Sequence, residues 1–228
     1  MIIVEPHCAS CPYEWSERYC RHDKGKAPED CPSVHHRDLV KEAAEAMKSP
    51  EVFEFARQAS IQEAEGYGFK ERGYGQVRPV KPRIVEVIEF ARRMHFERIA
   101  LVFCVGLRGE AATVQEIFQK QGLDVLSIVC KVGRVSKELL DLTRDQQINR
   151  ESFESMCNPV LQALIANRCE SQLNVLLGLC VGHDSLFLQY AKAPCTVLAV
   201  KDRLLGHNPL AAVYQYNSYY RYLKHRVD

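Results

Sequence analysis

The chain has 228 residues, 46% of them hydrophobic, and a net charge of +1. This length suits one domain with an appendage or two small domains, and so small a net charge does not favour nucleic acid or a membrane surface as a partner. No apolar run reaches the roughly 18 residues of a membrane span, and the N-terminus lacks the basic start of a signal peptide. We therefore expect a cytoplasmic protein whose ten cysteines stay reduced and serve metal binding, thiol chemistry or packing.

Residues 1–36 form the first predicted segment, which is rich in cysteine and poor in core residues. Its four cysteines have the spacing C-x2-C-x8-C-x10-C: Cys8, Cys11, Cys20 and Cys31. A C-x2-C pair lets two thiolates reach one ion, and two further thiolates can complete a tetrahedron. Such sulfur ligands suit zinc and iron–sulfur clusters equally well. The segment is therefore predicted to be a metal-binding arm, although a thiol-based regulator using the C-x2-C pair is an alternative. Four flanking histidines could replace a cysteine: His7, His22, His35 and His36.

Residues 37–82 form the second predicted segment, composed of helices followed by a basic loop. The stretches "RDLVKEAAEAMK" and "SPEVFEFARQASIQEAEGYG" have helical periodicity, and Ser49 followed by Pro50 is typical of a helix start. The stretch "YGFKERGYGQVRPVKP" is interrupted by glycine and proline and is cationic, which predicts a long ordered loop or linker.

Residues 83–228 form the third predicted segment, in which helical patterns alternate with apolar strand patterns. Near-continuous apolar strands between amphipathic helices favour a parallel sheet covered on both faces. We therefore predict an α/β, Rossmann-like domain with a mostly parallel sheet of about four or more strands. The predicted strands are "RIALVFCVG", "LDVLSIVCKVG", "LNVLLGLCVG" and "PCTVLAVKD".

Cysteines mark the carboxyl ends of three predicted strands, where ligands of open α/β folds bind. Cys104, Cys130 and Cys180 end the first three strands, and Cys157 precedes the helix start formed by Asn158 and Pro159. Free cysteine also packs well as a small hydrophobic residue, so burial is the alternative for each of them. Because the four share one edge, we expect at least two of them to form one functional site. Cys169 and Cys195 lie outside this pattern and are assigned to packing.

Basic residues and glycines accompany these cysteines in the predicted strand-end loops. Lys131 follows Cys130, His183 follows Cys180, and Lys201 closes the fourth strand. A cation near a cysteine lowers the pKa of its thiol and so favours a reactive or ligating thiolate. The stretch "GLRGEA" offers backbone N–H groups to an anion and places Gly106, Arg108 and Gly109 as candidate cofactor-binding residues. A tight turn is the competing interpretation, because the stretch lacks a dinucleotide or P-loop spacing.

The same motifs, in the same order, resemble a known prokaryotic family. The four-cysteine group, "KPRIVEVIEFA", "FCVGLRGEA", "CKVG", "CNP", "GLCVGHDSLF" and "VKDRLLGHNP" look like domain-of-unknown-function family 1847, whose members are often labelled metal-binding protein. The resemblance covers essentially the whole chain and implies that both cysteine groups belong to one protein type. It supplies no reaction. Because the family is common in anaerobes, the resemblance favours an iron–sulfur cluster over zinc for at least one group.

Two hypotheses follow from the sequence. In the first, the arm holds zinc or a [4Fe–4S] cluster, and the strand-end cysteines bind a second cluster or supply a nucleophile. His183 is then a proton donor or spare ligand, and Lys131 and Lys201 hold thiolates or an anionic small-molecule substrate. The reaction would be that of an iron–sulfur oxidoreductase, a lyase or a sulfur-transfer enzyme. In the second, the protein is a non-catalytic binding protein with one structural zinc, and the strand-end cysteines are packing. Neither hypothesis fixes the oligomeric state, and a homo-oligomer stays open.

Overall fold

The computed structural model describes residues 5–227 and divides the chain into two compact units, the first ending at Ala64 and the second beginning at Glu65. The boundary falls inside the predicted second segment. Three helices belong to the first unit or close it: α1 (Pro32–His35), α2 (Arg37–Ala46) and α3 (Pro50–Glu65). Within the part of the chain that is described, no helix is both long and apolar enough to cross a membrane.

The cysteine-rich arm is ordered by short turns and by one close backbone approach. Two 3-10 turns occupy Cys8–Ser10 and Trp15–Glu17. The Tyr19 N–H donates to the Lys26 carbonyl at 2.9 Å, and a Cβ on Gly25 would come within 2.3 Å of the Arg18 backbone. Only glycine allows this approach, which closes the loop that carries Cys20.

The second unit contains a four-stranded sheet in the order β4-β3-β5-β6, with every neighbouring pair parallel. The predicted α/β fold is confirmed. A two-residue antiparallel ribbon, β1 with β2, orders the loop before it. The strands are β1 (Tyr67–Gly68), β2 (Arg78–Pro79), β3 (Arg98–Phe103), β4 (Asp124–Val129), β5 (Leu173–Leu177) and β6 (Cys195–Ala199).

Helices cover both faces of this sheet, and each face has its own hydrophobic cluster. The first cluster joins Ile99 and Leu101 to α4 and α5, and the second joins Ala100 and Val102 to α6 and α7. Alternate residues of β3 point to opposite faces, which is why both faces are apolar. Cys104 and Cys130 lie in the second cluster, with Cys157 and Cys195 packed against it. The helices are α4 (Arg83–Arg93), α5 (Arg108–Lys120), α6 (Pro159–Arg168), α7 (His183–Tyr190) and α8 (Leu210–Tyr214).

A long connection between β4 and α6 spans residues 131–158 and returns to its starting point. A β-bridge pairs Ser136 with Ser155, and the Met156 N–H donates to the Val135 carbonyl at 2.8 Å. An ion pair joins Lys137 to Glu154 at 2.7 Å, with both side chains mostly buried. These contacts tie the two ends of the connection together. They bring Cys157 back to the sheet edge from which the chain departed.

Candidate functional site

The carboxyl ends of the parallel strands lie along one edge of the sheet. The strands that follow β3 in the chain lie on opposite sides of it. The chain runs from β3 to β4 on one side and then to β5 on the other side. In sheets of this type, ligands bind at such a reversal point, beyond the strand ends. Cys104 follows β3 directly, and its N–H donates to the Leu177 carbonyl at the end of β5 at 3.1 Å. The reversal point therefore lies beside Cys104.

Cys130 and Cys157 form the closest thiol pair at this edge, with their Sγ atoms 3.7 Å apart. The backbone holds the pair in place, because the Asn158 N–H donates to the Cys130 carbonyl at 2.7 Å. The Val105 N–H also donates to Cys130 Sγ at 3.3 Å. Cys130 is only 2% exposed, whereas Cys157 is half-buried. Cys157 is thus the outer member of the pair.

The surroundings of this pair favour ionisation of Cys157 over Cys130. A hydrogen bond from Cys130 lowers the pKa of the Cys157 thiol to about 5, and the positive charge of Lys131 and the nearby His183 add to this effect. The same hydrogen bond, together with burial, raises the pKa of Cys130. With Cys157 ionised, the Cys130 S–H keeps its proton and donates a hydrogen bond to the Cys157 thiolate. Cys157 therefore has the environment of a reactive cysteine.

Cys180 and Cys104 complete the thiol group and bring two more cations to the edge. Burial raises the pKa of Cys180, while Arg203 opposes that rise by donating from Nη2 to Cys180 Sγ at 2.9 Å. A Cβ on Gly106 would lie 3.1 Å from Lys201 Nζ and 3.9 Å from Cys104 Sγ. Lys201 and Cys104 thus approach the same turn. Among residues 5–227, the Lys201 ammonium makes no hydrogen bond or ion pair, so it is available to an anion.

Two buried polar atoms near this edge lack partners within the described part of the chain. They are His183 Nδ1, at the first residue of α7, and Gln162 Oε1. Gln162 is fully buried and donates from Nε2 to the Ile128 carbonyl at 2.7 Å. Burying a polar atom without a partner costs free energy, so such atoms often serve a ligand or a reaction. His183 already influences Cys157 electrostatically and could exchange a proton there.

The structure brings most of the predicted strand-end residues together but separates two of the three candidate cofactor-binding residues from them. Gly106 lies in the 3-10 turn Val105–Leu107 beside Lys201, whereas Arg108 and Gly109 are exposed at the start of α5. Lys131 lies against the connection and donates from Nζ to the Ser155 carbonyl. Arg203 is a site residue that the sequence patterns do not single out, because it lies in the turn beyond the residues that close the last strand. Its position two residues after Lys201 was the available signal.

In the first unit, the four arm cysteines line one cavity of about 50 Å³. Cys8 and Cys20 are exposed, Cys11 is half-buried and Cys31 is buried. His7 and Asp30 also line it and are joined at 3.2 Å between Nδ1 and Oδ2. The donor chemistry suits a thiolate-bound metal, but the arrangement is open. Across residues 5–227, no three Cys, His, Asp or Glu side chains form a group ready to hold a metal ion.

Comparison with known proteins places the chain in a family. It is 43% identical over 134 residues to "Uncharacterized protein MJ0455" of Methanocaldococcus jannaschii, a match that covers 59% of this chain and 67% of the relative. Residues 31–198 match the family described as "Protein of unknown function (DUF1847)". That range includes all four strand-end cysteines and Cys31, and it ends before Lys201 and Arg203. The resemblance drawn from the sequence motifs is confirmed, and the chain belongs to the DUF1847 family.

Proposed function

We propose that the α/β unit performs thiol chemistry on a small molecule, with Cys157 as the nucleophile at the carboxyl edge of the sheet. The contact between the two sulfurs of Cys130 and Cys157 carries the proposal, because it stabilises a thiolate on the more accessible residue. Redox or sulfur-transfer reactions both use such a thiolate. The cytoplasm would keep the thiols of this site reduced.

The other strand-end residues have roles that follow from their positions. His183 is the proton donor, since its Nδ1 is buried without a partner and its charge acts on Cys157. Lys201, without an ion pair in the described chain, holds an anionic group of the substrate. Arg203 restrains Cys180 through the 2.9 Å contact. Lys131 stabilises the Cys157 thiolate while its own position is fixed by the Ser155 carbonyl.

Alkylation of Cys157 as a function of pH tests this proposal. Iodoacetamide reacts with the thiolate, so the rate at Cys157 should reach half its maximum near pH 5, which matches the lowered pKa. Peptide mass spectrometry follows each cysteine separately. The half-buried Cys169, which belongs to neither cysteine group, provides the internal control. A midpoint for Cys157 in the ordinary thiol range would contradict the proposal.

A second function, metal binding by the arm, is supported by the cavity that all four arm cysteines line. Zinc or a [4Fe–4S] cluster would supply a structural or redox centre there, held by Cys8, Cys11, Cys20 and Cys31. Binding would require the two exposed cysteines to move toward the buried Cys31. Tetrahedral thiolate coordination would then order a segment with few core residues.

Elemental analysis of anaerobically purified protein, with an absorption spectrum of the same sample, tests the metal proposal. We expect zinc or iron in the wild-type protein, and its loss in the Cys8→Ser/Cys11→Ser variant. Cys169→Ser is the matched control and should keep the metal. Iron with a broad visible band would identify a cluster, and colourless zinc would identify a structural ion. A metal-free wild-type protein would overturn the metal proposal. It would not affect the proposal that Cys157 is a nucleophile.

The non-catalytic alternative rests on the burial of Cys104 and Cys130. Both belong to the second hydrophobic cluster, as the packing hypothesis expects. Cys157 and Cys180 distinguish the two hypotheses, because they are only half-buried and contact charged side chains. If Cys157 and Cys169 alkylate with the same pH dependence, the packing hypothesis is favoured.

A further inference from the structure

Cys130 and Cys157 are positioned for a specific kind of thiol chemistry. We propose that they form a dithiol–disulfide couple that reduces small anionic disulfides, with Cys157 attacking the substrate and Cys130 resolving the mixed disulfide. This inference rests on the proposed role of Cys157 as the nucleophile. It adds a second reacting residue, a reaction and a substrate class.

The backbone geometry supports a bond between the two sulfurs. They lie 3.7 Å apart and would close to the disulfide bond length of about 2.05 Å. Hydrogen bonds hold both backbones near the final position: the Asn158 N–H donates to the Cys130 carbonyl at 2.7 Å, and the Cys130 N–H donates to the Phe103 carbonyl at 2.8 Å. The connection 131–158 is also pinned by the Ser136–Ser155 bridge. Closure therefore needs side-chain movement rather than refolding of the connection.

The difference in exposure assigns the two roles. Cys157 is half-buried and can meet an incoming molecule, whereas Cys130 is 2% exposed and packed in the second cluster. A substrate cannot reach Cys130 directly, but a sulfur already bound to Cys157 would lie beside it. The Val105 N–H, which donates to Cys130 Sγ, can also stabilise charge as that thiol ionises.

The reaction balances with two thiols and one disulfide. The Cys157 thiolate attacks one sulfur of R–S–S–R, forms a mixed disulfide and releases one RS⁻. Cys130 then loses its proton to solvent and attacks the Cys157 sulfur, which releases the second RS⁻, and one of the two released RS⁻ takes up a proton from solvent. The reactants carry one thiol proton, on Cys130, and one thiolate charge, on Cys157. The products carry the same total, because they are the Cys130–Cys157 disulfide, one RSH and one RS⁻. The protein is oxidised by two electrons and the substrate is reduced.

The charges at this edge favour an anionic substrate. Lys201 Nζ and Cys104 Sγ both approach Gly106, Lys201 has no ion pair within the described chain, and Arg203 lies against Cys180. Asp202 and Asp184, the acidic residues beside Lys201 and His183, accept hydrogen bonds from backbone N–H groups. Asp202 Oδ1 accepts from the N–H groups of Leu204 and Leu205, and Asp184 Oδ1 accepts from its neighbour Ser185. A carboxylate on the substrate would therefore meet a free cation.

The test uses the full chain, reduced and kept anaerobic, with 3,3′-dithiodipropionate as the anionic probe and cystamine as the cationic probe. After quenching with N-ethylmaleimide, peptide mass spectrometry should find a Cys130–Cys157 cross-link. Cys130→Ser should stop at a mixed disulfide between the probe and Cys157. In Cys157→Ser, Cys130 should carry neither a cross-link nor the probe. Cys169→Ser is the control and should behave as the wild type.

The outcomes separate the inference from the proposed function. A wild-type protein that stops at a mixed disulfide on Cys157 overturns the couple and leaves the nucleophile standing. If Cys157 reacts with neither disulfides nor iodoacetamide near pH 5, both fail. We expect dithiodipropionate to react with Cys157 about tenfold faster than cystamine does. In Lys201→Gln the ratio of these two rates should be smaller. An equal or reversed preference in the wild type overturns the substrate class. The wild-type cross-link decides the question even where a serine variant folds poorly.

Discussion

Cys157 is set apart from the other nine cysteines by its particular neighbours. The pKa of Cys157 is lowered to about 5, whereas the pKa values of Cys130, Cys180 and Cys195 are raised. The hydrogen bond from Cys130 contributes most, and Lys131 and His183 supply positive charge. Reactivity at this residue should therefore depend on individual side chains that can be replaced.

Removing the cations should move the reactivity of Cys157 to higher pH. In Lys131→Met or His183→Gln, the thiolate loses a stabilising charge, so its pKa rises and less thiolate is present near pH 6. A rise of the pKa from about 5 to about 6 would lower the thiolate fraction at pH 6, and with it the alkylation rate, about twofold, and each further unit would lower the rate more steeply, approaching tenfold, because only the deprotonated form reacts. The measurement is the pH dependence of alkylation at Cys157.

Lys120→Met provides the matched control for this prediction. Lys120 is an exposed lysine of α5 that pairs with Glu116 on the same helix, away from the strand-end thiols. Its replacement should leave the midpoint for Cys157 unchanged. If Lys131→Met and His183→Gln also leave it unchanged, the electrostatic account of Cys157 is wrong and the hydrogen bond from Cys130 alone is responsible.

At the scale of elements, the turn after β5 depends on a glycine. Gly178 has a φ of +67°, and a Cβ there would lie 2.1 Å from Leu107 Cδ1, in the turn that follows Cys104. The turn after β3 and the turn after β5 are thus packed against each other. This contact keeps the carboxyl ends of β3 and β5 together, beside the reversal point.

Gly178→Ala should destabilise the α/β unit more than Gly182→Ala. Both glycines have positive φ, so alanine costs backbone strain of about 1–2 kcal/mol at either position. A Cβ on Gly182 would meet nothing within 4 Å, whereas at Gly178 it would also displace Leu107. Urea unfolding should give a lower free energy of unfolding for Gly178→Ala. Equal losses in the two variants would show that Leu107 adjusts freely.

The sequence was sufficient to predict the elements of the α/β unit, because its strands are apolar and its helices amphipathic. Strand-end placement of Cys104, Cys130 and Cys180 follows from the same pattern. The approach of Cys157 to Cys130 does not, since it depends on the connection 131–158, which has no regular periodicity. The bridge between Ser136 and Ser155 closes that connection through backbone contacts, which residue types do not specify.

For the whole molecule, the division into two compact units has an experimental consequence. The first unit, with the arm, α1, α2 and all of α3 but its last residue, ends at Ala64, and the sheet with its thiols lies entirely beyond that point. If metal orders the arm, its removal by a chelator should expose new proteolytic sites only before residue 64. Limited proteolysis with mass spectrometry locates the cuts.

The alkylation of Cys157, in the second unit, can be measured on the same chelated sample. The alkylation midpoint of Cys157 should be the same before and after chelation, because the groups that lower its pKa all belong to the α/β unit. The Cys8→Ser/Cys11→Ser variant should reproduce the chelated protein without the chelator. A midpoint that moves on metal removal would show that the arm influences the strand-end thiols.

The two faces of the sheet differ in their sulfur content. The cluster against α4 and α5 has no cysteine among its described members, whereas Cys104 and Cys130 lie on the other side, with Cys157 and Cys195 packed beside them. The sheet thus has one covering layer that contains thiols and one that, among its described members, contains none. Oxidation of these thiols would disturb the packing of α6 and α7 first, and the cysteine-free layer against α4 and α5 would remain to support the other face of the sheet.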